Sequence, residues 1–204
     1  MGVYYRLYER CSAEEFVTFW EQFYHSKMPD QVYQANLNIG YELTQSNIEI
    51  LWRWKNERYG VPMIAPTKEI LPHINAFRKS PSVTEEAEES FWQKTRTVSA
   101  AGIIWQAFVF HMVRPGDYPI LDQHAMRAFL CLAEGYVYLN PKQTSVACRS
   151  YSRFRSVYHP YRDFFFRLTE ESHCPEPKAA DRALWAFGRH LKRLYLRDEP
   201  LMVS

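Results

Sequence analysis

Asp122 and His124 are the first residues of this chain that we consider for chemistry, because both stand at the start of a predicted helix. A fixed carboxylate can stabilise positive charge on a substrate or orient an attacking water. It can also serve only as an N-cap, accepting hydrogen bonds from amides without a partner in the helix. The residues leave both roles of Asp122 open. For His124 they favour a structural role, hydrogen-bonded to the preceding loop.

Flat aromatic side chains are the second group of interest, because they make up 16% of the chain and can stack on a planar ligand. The tryptophans that we consider for a substrate pocket are Trp52, Trp54, Trp92 and Trp105. Core packing is the commoner role of such residues, and the sequence does not choose among them. His111, within a strongly apolar segment, is interpreted as a core histidine with satisfied hydrogen bonds.

Basic residues concentrate towards the end of the chain, where residues 149–197 hold eleven Lys/Arg and five Asp/Glu. Within this region a set of arginines is interleaved with Tyr and Phe, a pattern that suits contact with phosphate groups. The set comprises Arg149, Arg153, Arg155 and Arg162. A solvated helix face is the alternative interpretation.

No motif for a metal, a nucleotide or another cofactor occurs, and we expect none to be bound. The cysteines form no CxxC pair or compact cluster; they are Cys11, Cys131, Cys148 and Cys174. Such scattered cysteines suggest a reducing compartment. The amino terminus resembles no signal sequence, and the most apolar segment, residues 100–113, is too short to span a bilayer. We therefore expect a cytoplasmic protein without a membrane partner.

Helical periodicity dominates the sequence and predicts an all-α protein. A chain of 204 residues with 47% hydrophobic content supports a single helical domain, or two closely packed lobes with a cleft between them. Ser12 and Glu15 have capping-box spacing. The apolar face predicted behind them contains Phe16, Phe19, Trp20, Phe23 and Tyr24.

Further helices are predicted from start signals and spacing. One begins near Ser46 and reaches Tyr59, and others cover residues 67–79, 100–113 and 160–168. Three more begin at Thr84, Asp122 and Pro177. The acidic turn after Thr84 is interpreted as a solvated face. On the Asp122 helix, Arg127 is expected to face outwards. Residues 140–152 are predicted to be a polar connection, and residues 4–8 a short strand.

Residues 100–129 read AAGIIWQAFVFHMVRPGDYPILDQHAMRAF, an apolar helix followed by a proline-containing loop and Asp-x-His. This stretch resembles the core of the helix-hairpin-helix DNA glycosylases, the superfamily of endonuclease III and 8-oxoguanine glycosylase. The family's apolar-Pro-apolar-Asp-x-His sequence is matched by residues 118–124. Arg127 stands where the family often has a basic residue.

The resemblance implies excision of a base from double-stranded DNA, with Asp122 as the catalytic carboxylate. Breaking an N-glycosidic bond builds positive charge on the deoxyribose, which a carboxylate at about 3–4 Å can stabilise. The nucleotide must first leave the stack and enter a pocket. The predicted substrate-binding residues are Trp52, Trp92, Trp105, His124 and Arg127. The predicted nucleic-acid-binding residues are Arg149, Arg153, Arg155 and Arg162.

The hairpin of the family, Leu-Pro-Gly-Val-Gly, is reduced in residues 96–102 to a single glycine, Gly102. Bifunctional members carry a nucleophilic Lys about twenty residues before the Asp, where this chain has Gly102 or Ile103. The expected activity is therefore monofunctional, without a covalent lysine intermediate. The alternatives are a non-catalytic DNA-binding or protein-interaction domain on the same fold, and an unrelated helical bundle.

Overall fold

Every regular element formed by the described residues is an α-helix. The computed structural model describes residues 11–25, 30–37, 42–56, 67–96, 102–135, 149–173 and 176–197. The helices in these ranges are α1 (Ala13–Glu21), α2 (Asp30–Leu37), α3 (Gln45–Asn56), α4 (Thr67–Arg78), α5 (Glu85–Thr95), α6 (Ile103–Val113), α7 (Gln123–Glu134), α8 (Tyr151–Glu171) and α9 (Pro177–Arg197). The prediction of an all-α protein is confirmed.

Several helices begin where a side chain satisfies the first backbone amides. The Glu15 amide donates to Ser12 Oγ, and the Ser12 amide donates to the Glu15 carboxylate, so the predicted capping box is confirmed. Thr84 caps α5 through its hydroxyl. Pro177 is the first residue of α9, a position that needs no amide donor. Gly135 ends α7 with a φ of 68°, a left-handed conformation that favours glycine.

One helix, α2, was not predicted from the sequence, and another, α8, is longer than predicted. No helix is predicted at α2, because its apolar spacing is weak: Tyr33 and Leu37 are its buried residues. α8 begins at Tyr151, before the predicted start at Pro160, so the end of the predicted polar connection is helical. Pro160 is exposed, and water can hydrate the Ser156 carbonyl that loses its amide partner there.

The contacts divide the chain into two compact units. Unit 1 comprises Met1–His25, Leu121–Val146 and Val157–Ser204. Unit 2 comprises Ser26–Ile120 and Ala147–Ser156. The residues of α8 are divided between the units, and the chain leaves unit 2 immediately before Leu121.

Unit 2 is built around α6, which packs against α4 and α5. Nearly every side chain of α6 is buried, as its apolar sequence predicts. Phe110 lies at the centre of an aromatic cluster. Its ring centroid is 4.9 Å from Phe91, 4.9 Å from Phe154 and 5.0 Å from Tyr118. Large rings from four separate segments therefore fill this core.

Unit 1 is organised by α9, which packs against α7 and α1. Phe187 meets Phe16 at 5.4 Å and Trp20 at 5.1 Å between ring centroids. At Gly188 the two backbones approach so closely that an added Cβ would lie 1.9 Å from the His124 carbonyl oxygen. Only glycine fits this position without moving α7 or α9.

The exposure of two groups of side chains is not what their local sequence suggests. Phe19 and Phe23, members of the predicted apolar face, are 54% and 49% exposed. The rings pack on each other and on Trp20 instead of entering the core. Glu88 is 4% exposed, although the acidic turn of α5 was expected to be solvated. Two tyrosine hydroxyls compensate the burial of its carboxylate.

Several predictions fall outside the described residues: the strand at residues 4–8, the end of the Ser46 helix at Tyr59, residues 97–101 of the hairpin segment, most of the polar connection, and Cys148 and Cys174. None of the described helices has an apolar stretch long enough to cross a membrane.

The close contact at Gly188 predicts the effect of a minimal substitution. Gly188→Ala should lower the free energy of unfolding by about 1–3 kcal/mol, because the added methyl group meets backbone atoms of α7. Chemical denaturation with circular dichroism measures this change. Gly116→Ala is the matched control, since an added Cβ there meets nothing within 4 Å. Equal stability of the two variants would contradict the contact.

Candidate active site around Asp122

Asp122 is the N-cap of α7 and uses one carboxylate oxygen for that role. Its Oδ1 accepts hydrogen bonds from the amides of His124 and Ala125, both at 2.7 Å. The backbone is extended there, with φ −134° and ψ −179°, as expected for an N-cap. Among the described residues no donor reaches Oδ2, and the side chain is half-buried. The carboxylate is thus held in a fixed orientation by one oxygen, while the other remains available.

Tyr161 is a fully buried neighbour of this carboxylate in unit 1. Burial raises its pKa well above the usual value, and the charges of Asp181 and Asp122 raise it further. The phenol therefore keeps its proton over the whole physiological range. Neither Tyr161 nor Asp181 was predicted to lie near Asp122, because only tertiary packing of α7, α8 and α9 brings them there. No spacing pattern in the chain reports that proximity.

His124 is held inside unit 1 rather than by the preceding loop. Its Nδ1 accepts a hydrogen bond from the Arg127 guanidinium at 3.1 Å, and the ring is hydrogen-bonded to the Gly188 backbone. Burial lowers its pKa most strongly; the charge of Asp122 opposes this, while Arg127 and Lys192 add to it. A neutral ring with one accepting and one donating nitrogen fits both contacts. The expected structural role agrees with this geometry, but the expected partner was wrong.

Arg127 is 4% exposed, so the expectation that it faces outwards is wrong. Its position three residues after His124 places both side chains on one face of α7, where the guanidinium reaches the imidazole. An arginine buried this deeply keeps its charge, and that charge helps to hold His124 neutral. Asp122, His124 and Arg127 are thus brought together in unit 1.

The turn before Asp122 is anchored within unit 2 by buried polar contacts. His111 Nδ1 lies 2.6 Å from the Tyr118 carbonyl oxygen, and its Nε2 is hydrogen-bonded to the Tyr33 hydroxyl. The Tyr118 hydroxyl donates to Glu88 at 2.7 Å, and the Tyr151 hydroxyl donates to the other oxygen at 2.8 Å. Both ends of Tyr118 are therefore fixed. The interpretation of His111 as a satisfied core histidine is confirmed.

The predicted tryptophans lie in different surroundings within unit 2. Trp52 and Trp105 stack with centroids 4.3 Å apart and planes at 24°, so the structure brings this pair together. Trp92 is only 2% exposed and belongs to the core, and its Nε1 donates a hydrogen bond to none of the described residues. Trp54 packs on Tyr33 at 4.4 Å. Of these four, Trp54 and Trp105 retain more than marginal exposure.

The predicted basic set is spread along the first half of α8 and the residues before it. Arg149 and Arg153 are exposed and form no ion pair with the described residues. Arg155 pairs with Glu85, and Arg162 lies 3.8 Å from Asp163. Two of the four charges thus already have an acidic neighbour.

The described residues offer no metal site, since they contain no group of three His, Cys, Asp or Glu side chains arranged to hold an ion. Cys11 and Cys131 form no disulfide. No protein-family model, curated protein or solved structure matches this chain.

The cap geometry predicts distinct effects of two substitutions. Asp122→Ala should lower the free energy of unfolding by about 1 kcal/mol, because two amides of α7 lose their acceptor. Asp122→Asn should leave it nearly unchanged, since Asn is an equally good N-cap. Denaturant titration of both variants checks the difference, and a loss in Asn equal to that in Ala would contradict the cap.

The burial of His111 predicts a pH dependence of stability. Its pKa falls from 6.5 to about 3 on folding, so below pH 6.5 the unfolded chain takes up a proton that the folded protein does not. This term lowers the free energy of unfolding as the pH decreases from about 6.5 towards 3. Between pH 7 and pH 5 it amounts to about 2 kcal/mol.

Denaturant titrations at pH 7 and pH 5 test this, with His111→Gln as the variant that removes the titrating group while retaining a donor and an acceptor. The variant should lose less stability than the wild type between the two pH values. His25→Gln, which removes an exposed imidazole, is the control. An unchanged pH dependence in His111→Gln would contradict the buried neutral ring.

Proposed function

We propose that this chain is a divergent DNA glycosylase of the helix-hairpin-helix type that releases a base by hydrolysis, with Asp122 as its catalytic carboxylate. The observation that carries the proposal is that the two carboxylate oxygens of Asp122 have different surroundings. One oxygen fixes the carboxylate by capping α7, and the other faces no donor among the described residues. The resemblance of residues 100–129 to the family, in an all-helical setting, supports it further.

In the proposed reaction, the bond between deoxyribose C1′ and the base nitrogen breaks, and its electron pair leaves with the base. The carboxylate stabilises the positive charge that this leaves on the sugar. A water oxygen then bonds to C1′, and the proton that water loses passes through the carboxylate to solvent, while the departing base takes up one proton. The net change is hydrolysis, and no metal or cofactor takes part.

The positions that a bifunctional enzyme would use for a nucleophile carry none in this chain. Gly102 is the N-cap of α6, with a φ of 99°, and Ile103 is a buried residue of that helix. Neither side chain can form an imine with the sugar. A hydrolytic mechanism through Asp122 is therefore the one that the described residues favour.

Incubation with a panel of DNA duplexes, each carrying one damaged or modified base, tests the proposal. Alkali treatment then cleaves the strand wherever base release has left an abasic site. Wild type should act on at least one duplex, and Asp122→Asn should lose about 100-fold or more of that rate, because an amide cannot balance the developing charge. Folding of the variant is checked independently by its unfolding curve, since Asn preserves the cap.

Asp117→Asn is the matched control, because Asp117 is an exposed carboxylate of the preceding turn, paired with Arg114 at 2.5 Å. It should retain the wild-type rate. Full activity in Asp122→Asn, or equal losses in both variants, would contradict the catalytic role of Asp122.

The second candidate is a non-catalytic DNA-binding or protein-interaction domain on the same fold. The observation in its favour is that His124 and Arg127, predicted to touch a substrate, contact each other inside unit 1. Mobility shifts with duplex and single-stranded DNA at two salt concentrations separate the candidates. DNA binding without base release from any duplex would favour the second, and absence of binding at low salt would exclude both DNA-directed functions.

A further inference from the structure

One face of α9 carries a row of basic residues that sequence analysis did not separate from the general basic excess of this region. Its members lie three, four or seven positions apart, apart from one adjacent pair at its end, and such spacing places side chains on one face of a helix. The row, which we call the α9 basic face, consists of Lys178, Arg182, Arg189, Lys192 and Arg193, with Trp185 at its centre. Asp181 is the one acidic residue of the helix.

The opposite face of α9 forms the core of unit 1, which fixes the direction of the basic face. The buried side chains are Ala180, Ala183, Leu184, Phe187 and Leu191. They pack against α7 and α1. Along the basic face, by contrast, Lys192 and Arg193 are exposed, and Lys178, Arg182 and Arg189 are half-buried. Rotation of α9 to hide these charges would expose its apolar side.

Three charges of the α9 basic face have no acidic partner in the part of the chain that the structure describes. Arg189, Lys192 and Arg193 form no ion pair with any described residue. The Arg189 guanidinium lies over the Trp185 ring, 5.0 Å from its centroid, a cation–π contact that orients it without neutralising it. The basic set predicted on α8 differs, because Arg155 and Arg162 there have acidic neighbours.

The α9 basic face runs directly beside the helix that Asp122 caps. The Trp185 ring contacts the His124 ring at 5.3 Å between centroids. The Gly188 backbone is hydrogen-bonded to His124, and the charge of Lys192 contributes to the lowered pKa of the same imidazole. The carboxylate of Asp122 and the row of cations are therefore parts of one local structure within unit 1.

We infer that the α9 basic face binds the phosphodiester backbone of double-stranded DNA next to Asp122. The inference rests on the proposed function for its ligand, and it adds the surface and the residues that hold the strand. The row from Lys178 to Arg193 is about 22 Å long, at 1.5 Å per helical residue. Each strand of duplex DNA carries a phosphate about every 3.4 Å of helix axis, so several phosphates face such a row. Guanidinium and ammonium groups are the usual phosphate ligands.

The test is fluorescence anisotropy of a labelled duplex with the full chain at 50 and 200 mM salt. The variant Arg189→Gln/Lys192→Gln/Arg193→Gln removes the three cations that form no ion pair with the described residues. We expect its dissociation constant at 50 mM salt to rise about tenfold or more. The slope of log K against log salt should fall by roughly three, since each lost phosphate contact removes about 0.9. The double variant Lys192→Gln/Arg193→Gln, confined to exposed side chains, should show about two thirds of this change in slope.

The matched control is Arg53→Gln/Lys94→Gln/Arg167→Gln, which removes the same charge from three exposed positions elsewhere. It should bind nearly as the wild type does. Equal losses in this control and in the α9 variant would overturn the inference, because net charge alone would then explain binding. Wild-type binding by both α9 variants would also overturn it.

The outcome is distinguishable from failure of the proposed function. If base release depends on Asp122 while the α9 variants bind DNA as the wild type does, the inferred role of the α9 basic face is wrong and the glycosylase proposal stands. If the α9 variants lose DNA binding while the wild type releases no base from any duplex, the α9 basic face binds DNA and the catalytic proposal is wrong. A wild type that binds neither duplex nor single strand at 50 mM salt would overturn both.

Discussion

The contact between Gly188 and the first turn of α7 is the constraint on which most of unit 1 depends. Because Gly188 has no Cβ, the backbone of α9 can lie directly against the residues that follow Asp122. That approach allows the Gly188 backbone to bond His124 and places Trp185 on the same ring. The α9 basic face and the capped carboxylate are consequently neighbours. Within unit 1, helix packing brings the parts of the candidate site together.

Unit 2 uses a different means to hold the chain that leads to Asp122. The turn after α6 is anchored by buried polar groups: His111 holds the Tyr118 carbonyl, and Glu88 holds its hydroxyl. Each group is costly to bury alone, and each is compensated by a partner from a distant segment. Such contacts specify one arrangement of the turn, whereas apolar packing around Phe110 tolerates small displacements. Polar contacts thus position the turn, and aromatic packing stabilises the unit.

Local signals predicted the local structure, and tertiary contacts explain what they missed. The capping box at Ser12, the buried α6 and the cap at Asp122 follow from short patterns whose partners are near in sequence. The burial of Arg127 and Glu88 does not, because each depends on side chains supplied by other segments. The α9 basic face is visible in the helical spacing of its residues, but its position beside Asp122 requires the packing at Gly188. The cap itself was predictable; the surroundings of Asp122 were not.

The double use of the Asp122 carboxylate has a further consequence. Since Oδ1 binds the amides of His124 and Ala125, the first turn of α7 and the orientation of Oδ2 form one cooperative unit. Any opening of that turn releases the carboxylate and removes its alignment, even while the remainder of the helix is intact. Local fraying and loss of the aligned group are thus the same event. The alignment of the carboxylate therefore lasts only as long as this single turn of α7 stays closed.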